Sequence, residues 1–495
     1  MIYVAPNKVI HTAISAPGAG KTQALISQLP ALLSAGRCIV LALPTKILST
    51  DIVSRLPVGI DHYVINSDTC YPNPVGPELQ AALGSRTNKL IITTHASIFS
   101  VPPNMLRGWM LVVDELPAVV GFPDFPFTPS GLDTLFVHTS ERDGHLHIRE
   151  GCDAAIETSL KIFRAAKSGA KQTSMLSEEG AKIFTCLLNG NPVFIGAKMD
   201  NGKRHVHAVE EYSHWKIFAA ANEVHVLAAN IDGSLFDEFA QVHGFTYTRS
   251  IFTPVFEGYN SLITIYPAMP KGRDYSKTKA EKIVGDIAIN QYETIPFTVV
   301  DAILKAALQK TNGTPLLFSN DWAGFKWLNK KTVHVCSIDS RGLNDYQGET
   351  DAILLFGGNP SPADKRSLQY LATKYARDFR HAFAVTRLLE PSLQAATRTA
   401  VRVRGNTQPI TIFVQDERVA DYLVKTYMPN AVIDWSFSQI TPVQPDGRKV
   451  EDPRKAQVFE LFDQDMRNAD IVRLTGVSRG SATNWKREWK ALKAA

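Results

Sequence analysis

Cysteine is scarce in this 495-residue chain: there are five, Cys38, Cys70, Cys152, Cys186 and Cys336, far apart and with no C-x-x-C pair. That spacing argues against a zinc site, an iron–sulfur cluster or a disulfide scaffold, and for a reducing compartment. Long apolar runs are missing too. No stretch is long enough to span a bilayer, and the N-terminus lacks the charged-then-apolar layout of a signal peptide, so a cytoplasmic protein with no membrane partner is expected. Most of the chain also lacks any charge excess. Residues 473–495 hold six basic residues against one acid, Glu488, an imbalance as large as the net +5 of the whole chain. A 44% hydrophobic and 20% charged composition is ordinary for globular protein, and the length suggests about three domains.

What is present concentrates near the N-terminus, in Ser15-Ala-Pro-Gly-Ala-Gly-Lys21-Thr22. The apolar run Val9–Ile14 precedes it, and Ala24, Leu25, Leu29, Leu32 and Leu33 follow at helical spacing. A strand, a glycine-rich turn and a helix N-terminus, in that order, make a phosphate cradle. Small residues let backbone N–H groups converge on phosphate oxygens, and the helix start adds partial positive charge. Ala16, Pro17, Gly18, Ala19 and Gly20 would line the cradle, Lys21 would reach the β/γ-phosphates, and the Thr22 hydroxyl would hold Mg²⁺. Ser15 stands where G-x-x-x-x-G-K-[ST] begins with Gly. A chance Gly-Lys-Thr turn is the alternative, and the strand-then-helix context opposes it.

Short continuous apolar runs follow at Cys38–Leu43, 90–92, 110–113 and 224–229. Runs apolar on both faces and separated by helical stretches read as buried strands of a parallel sheet, whose ligands sit at the carboxyl ends. Asp114-Glu115 occupies that end of the 110–113 run. Mg²⁺ takes carboxylate and phosphate oxygens and hydrolysis needs a group to orient water, so Asp114 suits the metal and Glu115 the water. Alone the pair is weak; behind a phosphate loop it is not.

In this order the motifs resemble those of superfamily-2 (DEAD/DEAH-like) helicases and translocases, across residues 8–430. Residues 16–22 look like the first motif. Pro44-Thr45-Lys46 is similar to a P-T-R stretch that touches nucleic-acid backbone, and Thr93-Thr94-His95 stands where a second such motif is expected. Asp114-Glu115-Leu116-Pro117 takes the place of the D-E-x-H or D-E-x-D box, and Ala228-Ala229-Asn230 that of Ser-Ala-Thr. A second series of strands beginning at 314–320 corresponds to the second motor lobe. Ser340-Arg341-Gly342-Leu343-Asn344 is similar to R-G-x-D, and Gln394-Ala-Ala-Thr-Arg398-Thr-Ala-Val-Arg402 resembles Q-x-x-G-R-x-x-R, whose arginines reach the γ-phosphate.

The resemblance implies an α/β fold of two tandem RecA-like parallel-sheet lobes, the first at 1–255 with an insertion at about 121–222, the second at 256–435. It implies ATP and Mg²⁺ as ligands, with Lys21, Glu115 and Arg398 catalytic. Gly342, Gln394 and Arg402 become further nucleotide contacts, and Thr45, Lys46 and Thr94 contacts to DNA. Arg402 is one residue later than the pattern, yet at i,i+4 it would share a helix face with Arg398. A surface ion pair is the alternative for either arginine. Ala228 and Ala229 lack the family's hydroxyls, and Pro117 lacks the usual coupling side chain, so ATP hydrolysis is better supported than duplex unwinding.

In the insertion, Gly121-Phe-Pro-Asp-Phe-Pro-Phe-Thr-Pro reads as an irregular packed loop. Residues 153–166 and 177–188 read as helices, and Asp200-Asn-Gly-Lys203 as a hairpin turn flanked by Lys198, Lys203 and Arg204. This region is either a nucleic-acid contact or a structural appendage. Residues 436–453, with three prolines, read as a linker.

Beyond it, helical patterns at 456–466, 469–474 and 480–492, with a turn at Gly476 and a cap at Ser478, resemble the helix-turn-helix of phage and mobile-element DNA-binding proteins. The small all-α domain would span 454–495. Arg479, Ser481, Thr483 and Asn484 would face base edges, and Lys486, Arg487 and Lys490 would neutralise phosphates. Ile471, Leu474, Val477, Ala482 and Trp485 would make its core. A packing module with no DNA role is the alternative. The combined expectation is an ATP-dependent DNA helicase or translocase in replication or remodelling of a phage or plasmid genome, with DNA and other replication proteins as partners. A DNA-binding regulator that uses nucleotide only to fix its conformation is the competing reading.

Overall fold

The computed structural model describes residues 8–167, 174–339, 346–441, 454–464 and 466–494. The apolar runs become strands: Val9–Ile14 (β1), Cys38–Leu43 (β2), Tyr63–Ile65 (β3), Leu90–Thr94 (β4), Trp109–Asp114 (β5), Glu223–Ala228 (β6) and Thr246–Arg249 (β7). They form one sheet in the order β7-β1-β6-β5-β2-β4-β3, with every pairing parallel. All of β5 is buried, and all of β2 but Cys38, as a sheet covered on both faces requires. Lys21–Ser34 (α1) and Lys46–Ser54 (α2) are among its crossover helices, and Leu25, Ile26 and Leu29 press on Ile39, Leu41 and Val112. Because β6 lies between β1 and β5, the segments leaving the carboxyl ends of these three strands are neighbours.

A second sheet holds Ile263–Pro267 (β8), Leu316–Ser319 (β9), His334–Cys336 (β10), Asp351–Leu355 (β11), Ile410–Val414 (β12) and Val432–Ile433 (β13). Its order is β10-β9-β11-β12-β8-β13, again wholly parallel. The expected two RecA-like lobes are therefore present. Within the expected 256–435 span the first strand of the second is β8, upstream of the 314–320 run. Its residues alternate between buried and half-buried, and its partners β12 and β13 come much later in the chain, so nothing local marks it.

Between β5 and β6 the insertion builds a five-stranded antiparallel sheet in the order Asp124–Phe127, Arg204–Ala208, Val193–Lys198, His145–Ile148, Thr139–Arg142. Helices Pro129–Phe136, Asp153–Lys167 and Glu178–Leu188 cover it over a core that includes Leu135, Ile156, Phe184 and Val206. The two expected helices and the hairpin are in place. The Phe-Pro-rich segment is not an irregular loop: Asp124–Phe127 is an edge strand, where Pro126 is tolerated, and Pro129 opens a helix. Val120–Gly121 pairs antiparallel with Glu210–Glu211, bringing the two ends of the insertion side by side.

Pro362–Tyr375 (α3) and the following helix 380–396 pack lobe 2 onto lobe 1. Leu368, Leu371, Phe379 and Phe383 share one apolar cluster with Phe236 and Phe239, rimmed by Lys374–Glu211 (2.8 Å) and Arg377–Glu238 (3.0 Å) ion pairs. Met1–Thr441 is accordingly one compact unit, and Pro442–Ala495 another. Ser436–Ile440, expected in the linker, is instead a helix of lobe 2, because Phe437 is fully buried against Tyr266 and Phe413. Residues 442–453 lie outside the described residues.

In the C-terminal unit, Arg454–Asp463 (α4), Asn468–Thr475 (α5) and Arg479–Ala494 (α6) surround Val458, Phe462, Ile471, Val477 and Ala482, with Trp485 packed alongside. Leu474, expected in this core, is exposed. Ile471, Val477 and Ala482 are buried as expected, and Val458 and Phe462 of α4 complete the core.

Candidate nucleotide site

The chain leaves β1 with the Ser15 N–H on the Ala228 carbonyl (3.2 Å). It then turns through Gly18 (φ +82°) and Gly20 (φ +93°) in left-handed conformations that a Cβ resists, and Gly20 caps α1 so that Lys21 is its first residue. Gly18 has a second reason to lack a side chain. A Cβ there would lie 2.8 Å from Arg402 Cβ and 3.1 Å from the Arg402 carbonyl oxygen, so lobe 2 touches the phosphate loop. The Pro17 carbonyl accepts a hydrogen bond from Tyr259 (2.9 Å). Ser15, the departure from the loop pattern, has its Oγ buried with no hydrogen-bond partner.

Asp114 ends β5 in register with Leu227 of β6 and is only 6% exposed. Burial pushes its carboxyl up to about 6, against the pull of Lys21, the Thr22 hydroxyl that hydrogen-bonds it, and the Glu115 backbone. Burial likewise brings Lys21 down to about 8, with Asp114, Glu390 and Glu115 pulling it back up. Lys21 Nζ donates to the carbonyls of Ser15 (2.5 Å) and Ala16 (3.1 Å). Glu115 sits at φ +64° with its N–H on the Leu227 carbonyl (2.7 Å). So long a side chain rarely adopts that backbone, and such strain is typical of functional sites.

The residues fit a divalent cation shared with phosphate. Thr22 and Asp114 offer an all-oxygen pair beside a lysine, the donor set a hard cation takes together with phosphate oxygens. Among the described residues no three His, Cys, Asp or Glu side chains are grouped to hold a metal by themselves.

From lobe 2, Arg398 is 7% exposed. Burial, then Arg402, lowers it to about 10, while Glu115 and Asp339 pull it up. Burial lowers Arg402 as well, against Tyr259 and Glu115. Both guanidinium groups thus act on Glu115, and Arg402 also acts on Lys21. They do not share a helix face, contrary to the i,i+4 expectation. The helix ends at Ala396, where the Thr397 and Thr399 hydroxyls bond back to the carbonyls of Leu393 (2.8 Å) and Ala396 (3.0 Å), and Ala400–Arg402 is a separate 3₁₀ turn. Gln394 lines an interlobe cavity of about 390 Å³ together with Glu115 and Asp339. Gly342 and the Lys490 side chain lie outside the described residues.

Thr45 follows β2 and Thr94 ends the adjacent β4, on the same carboxyl edge. Each caps a helix, Thr45 accepting from the Leu48 N–H (3.3 Å) and Thr94 from the Ser97 N–H (3.4 Å), while Lys46 Nζ is 2.6 Å from Asp68. On α6, Arg479, Thr483, Asn484 and Arg487 are exposed, and Ser481 and Lys486 half-buried. Ser478 Oγ accepts from the Ser481 N–H (3.0 Å).

Sequence reasoning missed Glu390, Tyr259, Tyr422 and Tyr427. Glu390 lines the interlobe cavity with Glu115 and Gln394, and Lys21 favours its charged form against the burial that raises its pKa. Its position one helical turn before Gln394 was the available signal.

No family model matches the chain, and no curated protein matches it in sequence. Among solved structures it is similar to S. tokodaii Xpd4 at 11% identity, covering 86% of this chain and 96% of that one, TM-score 0.49. It is similar to a structure named XPD_Helicase at 12%, 86% and 96%, TM-score 0.49. It is also similar to a point variant of S. cerevisiae Dbp5 bound to RNA and ADP BeF3 at 11%, 88% and 86%, TM-score 0.35. At such identities and TM-scores, function is read from this chain's own geometry.

Proposed function

We propose that this chain is an ATP-hydrolysing motor acting on DNA, a helicase or translocase of the superfamily-2 kind that serves replication or remodelling of a phage or plasmid genome. One observation carries the reading: lobe 2 meets the phosphate loop of lobe 1, with Arg402 against Gly18 and Tyr259 donating to the Pro17 carbonyl, and Glu115 shares one interlobe cavity with Gln394. Lys21 and the backbone of residues 16–22 hold the β/γ-phosphates. Thr22 and Asp114 would hold Mg²⁺, which when bound neutralises charge developing on the phosphate oxygens. Glu115 orients the attacking water, and Arg398 stabilises charge on the transferring phosphoryl group, so hydrolysis depends on the two lobes staying together. Arg402, seated on Gly18, and Gln394 complete the lobe-2 wall.

Thr45, Lys46 and Thr94, on one edge of the first sheet, contact DNA backbone. Residues 454–495 act as a helix-turn-helix, with Arg479, Ser481, Thr483 and Asn484 toward base edges and Lys486 and Arg487 toward phosphates. Replication proteins are further partners. The lobes divide at residue 255/256. The regulatory reading, nucleotide binding without unwinding, draws support from Ala228 and Ala229, which bring no hydroxyl to the lobe interface.

The test is ATP turnover with and without single- and double-stranded DNA, with Glu115→Gln and Arg398→Ala as controls. Turnover stimulated by DNA and abolished in both variants is expected. Nucleotide binding without turnover in the wild type would leave the regulatory reading standing.

A further inference from the structure

The loop Ala228-Ala229-Asn230 raises a question: with two hydroxyls missing, by what path does lobe 2 register what the phosphate loop holds? Three tyrosines answer to it. Tyr427 donates to the Ala229 carbonyl (2.5 Å), Tyr259 to the Pro17 carbonyl (2.9 Å), and Tyr422 accepts from Asn230 Nδ2 (3.0 Å). The Asn230 amide is oriented from its other end too, its Oδ1 accepting from the Asp232 N–H (3.3 Å). Tyr422 passes its own proton on, donating to Glu390 Oε2 at 3.0 Å, while Gln394 Nε2 donates to Glu390 Oε1 at 3.2 Å. The chain Asn230, Tyr422, Glu390 is thus ordered donor to acceptor from the lobe-1 loop to a lobe-2 carboxylate, and that carboxylate lines the same interlobe cavity as Glu115, with Lys21 favouring its charged form.

We propose that Glu390 is a positioning residue that senses nucleotide phosphate at Lys21 and transmits its presence through Tyr422 to Asn230. The proposal rests on the nucleotide site assigned under the previous heading. Lys21 is shared by three carboxylates, Asp114, Glu390 and Glu115. Asp114 would acquire a metal when the site fills, and Glu115 has the two arginines. Among the described residues the hydrogen-bond donors to Glu390 are the neutral Gln394 and Tyr422, and Lys21 is the cation that favours its charge. A polyanion drawn to Lys21 therefore opposes Glu390 with like charge. The carboxylate must then take a proton or withdraw, and either response alters what Tyr422 can donate to it.

The helix is irregular at this point. Its turn at Val385–Leu389, just before Glu390, is a π turn, a widening often found at functional sites. Thr386 in that turn accepts from the Leu235 N–H of lobe 1 (2.9 Å), so a shift of the helix is felt on both sides of the cleft.

The test uses the full chain with Glu390→Gln, Tyr422→Phe and the double variant. It reads fluorescent-ADP binding and steady-state ATP kinetics with and without single-stranded DNA, with circular dichroism to verify folding. Glu390→Gln keeps shape and acceptor but removes charge. It should lower the KM for ATP by about fivefold, the scale of one like-charge contact in a partly screened cleft, and weaken the stimulation by DNA. Tyr422→Phe, which removes one of the donors favouring the Glu390 charge, should lower KM by less than Glu390→Gln and weaken stimulation to the same extent. The double variant should lose no more stimulation than either single one, since both cut one path. An unmoved KM in Glu390→Gln, or losses of stimulation that add, overturns the relay while leaving the nucleotide site intact. A wild-type chain that binds no nucleotide overturns both.

Discussion

Replacing Asp114 with Asn should change how stability depends on pH, by an amount set by its burial. The carboxyl sits at about 6 rather than 3.8. A carboxyl raised on folding holds its proton more tightly in the folded state, so wild-type stability declines as pH climbs through that window, and the full cost is present above it. About two pH units at about 1.4 kcal/mol each give a cost of about 3 kcal/mol at neutrality.

An amide has no such charge, so Asp114→Asn keeps its stability across the window. The variant also strips Lys21 of its largest counter-charge, which sets the offset between the two curves but not their divergence between pH 4 and 7. For the unit Met1–Thr441, an unfolding entropy of about 2 cal/mol/K per residue turns the divergence into about 3 °C of melting temperature. Thermal unfolding of both proteins from pH 4 to pH 7 should show Asp114→Asn gaining on wild type by that amount. Adding Mg²⁺ and ATP at pH 7 should then favour wild type, because ligand binding to the folded state raises its stability. A melting difference that stays flat with pH would refute the idea that burial of this carboxylate is a stability cost accepted for metal binding.

The pH profile of kcat/KM for ATP should be bell-shaped. Activity falls as pH drops through about 6, where Asp114 takes a proton, and again as pH rises through about 8, where Lys21 loses one; phosphate release measured from pH 5 to 9 with no change would remove both groups from the mechanism. Removing residues 454–495 should weaken DNA binding and flatten its dependence on salt, since fewer phosphates are neutralised. Equal affinity and salt slope in filter binding would take the C-terminal unit out of DNA recognition.

The lobe-1 side of the candidate site was readable because its residues are local in sequence. Lys21, Thr22, Asp114 and Glu115 sit next to the apolar runs that become β1 and β5, and a buried parallel strand announces itself by continuous apolarity. β8 escaped notice for the opposite reason, pairing only with strands encoded far downstream. Phe437 shows the same limit: an isolated aromatic in a polar segment does not reveal that Tyr266 and Phe413 wait to cover it. The prolines of the insertion misled because proline excludes central strands and helix interiors, not a sheet edge or a first helical turn. Motif order put Arg402 in the lobe that touches the phosphate loop, but the expected shared helix face with Arg398 fails, since the threonines that end their helix also have helix-compatible uses. Tyr422 and Tyr427 reach lobe 1 through Asn230 and the Ala229 carbonyl, and Glu390 joins them through Tyr422, contacts that exist only in the folded chain.

The short ladder joining Val120–Gly121 to Glu210–Glu211 has an evolutionary corollary. A detour that departs and returns at one doorway can be lengthened, trimmed or exchanged while the strand bearing Asp114 and the strand bearing Ala228 stay put. The distance between those two strands is thereby set at the doorway, whatever the length of the detour beyond it.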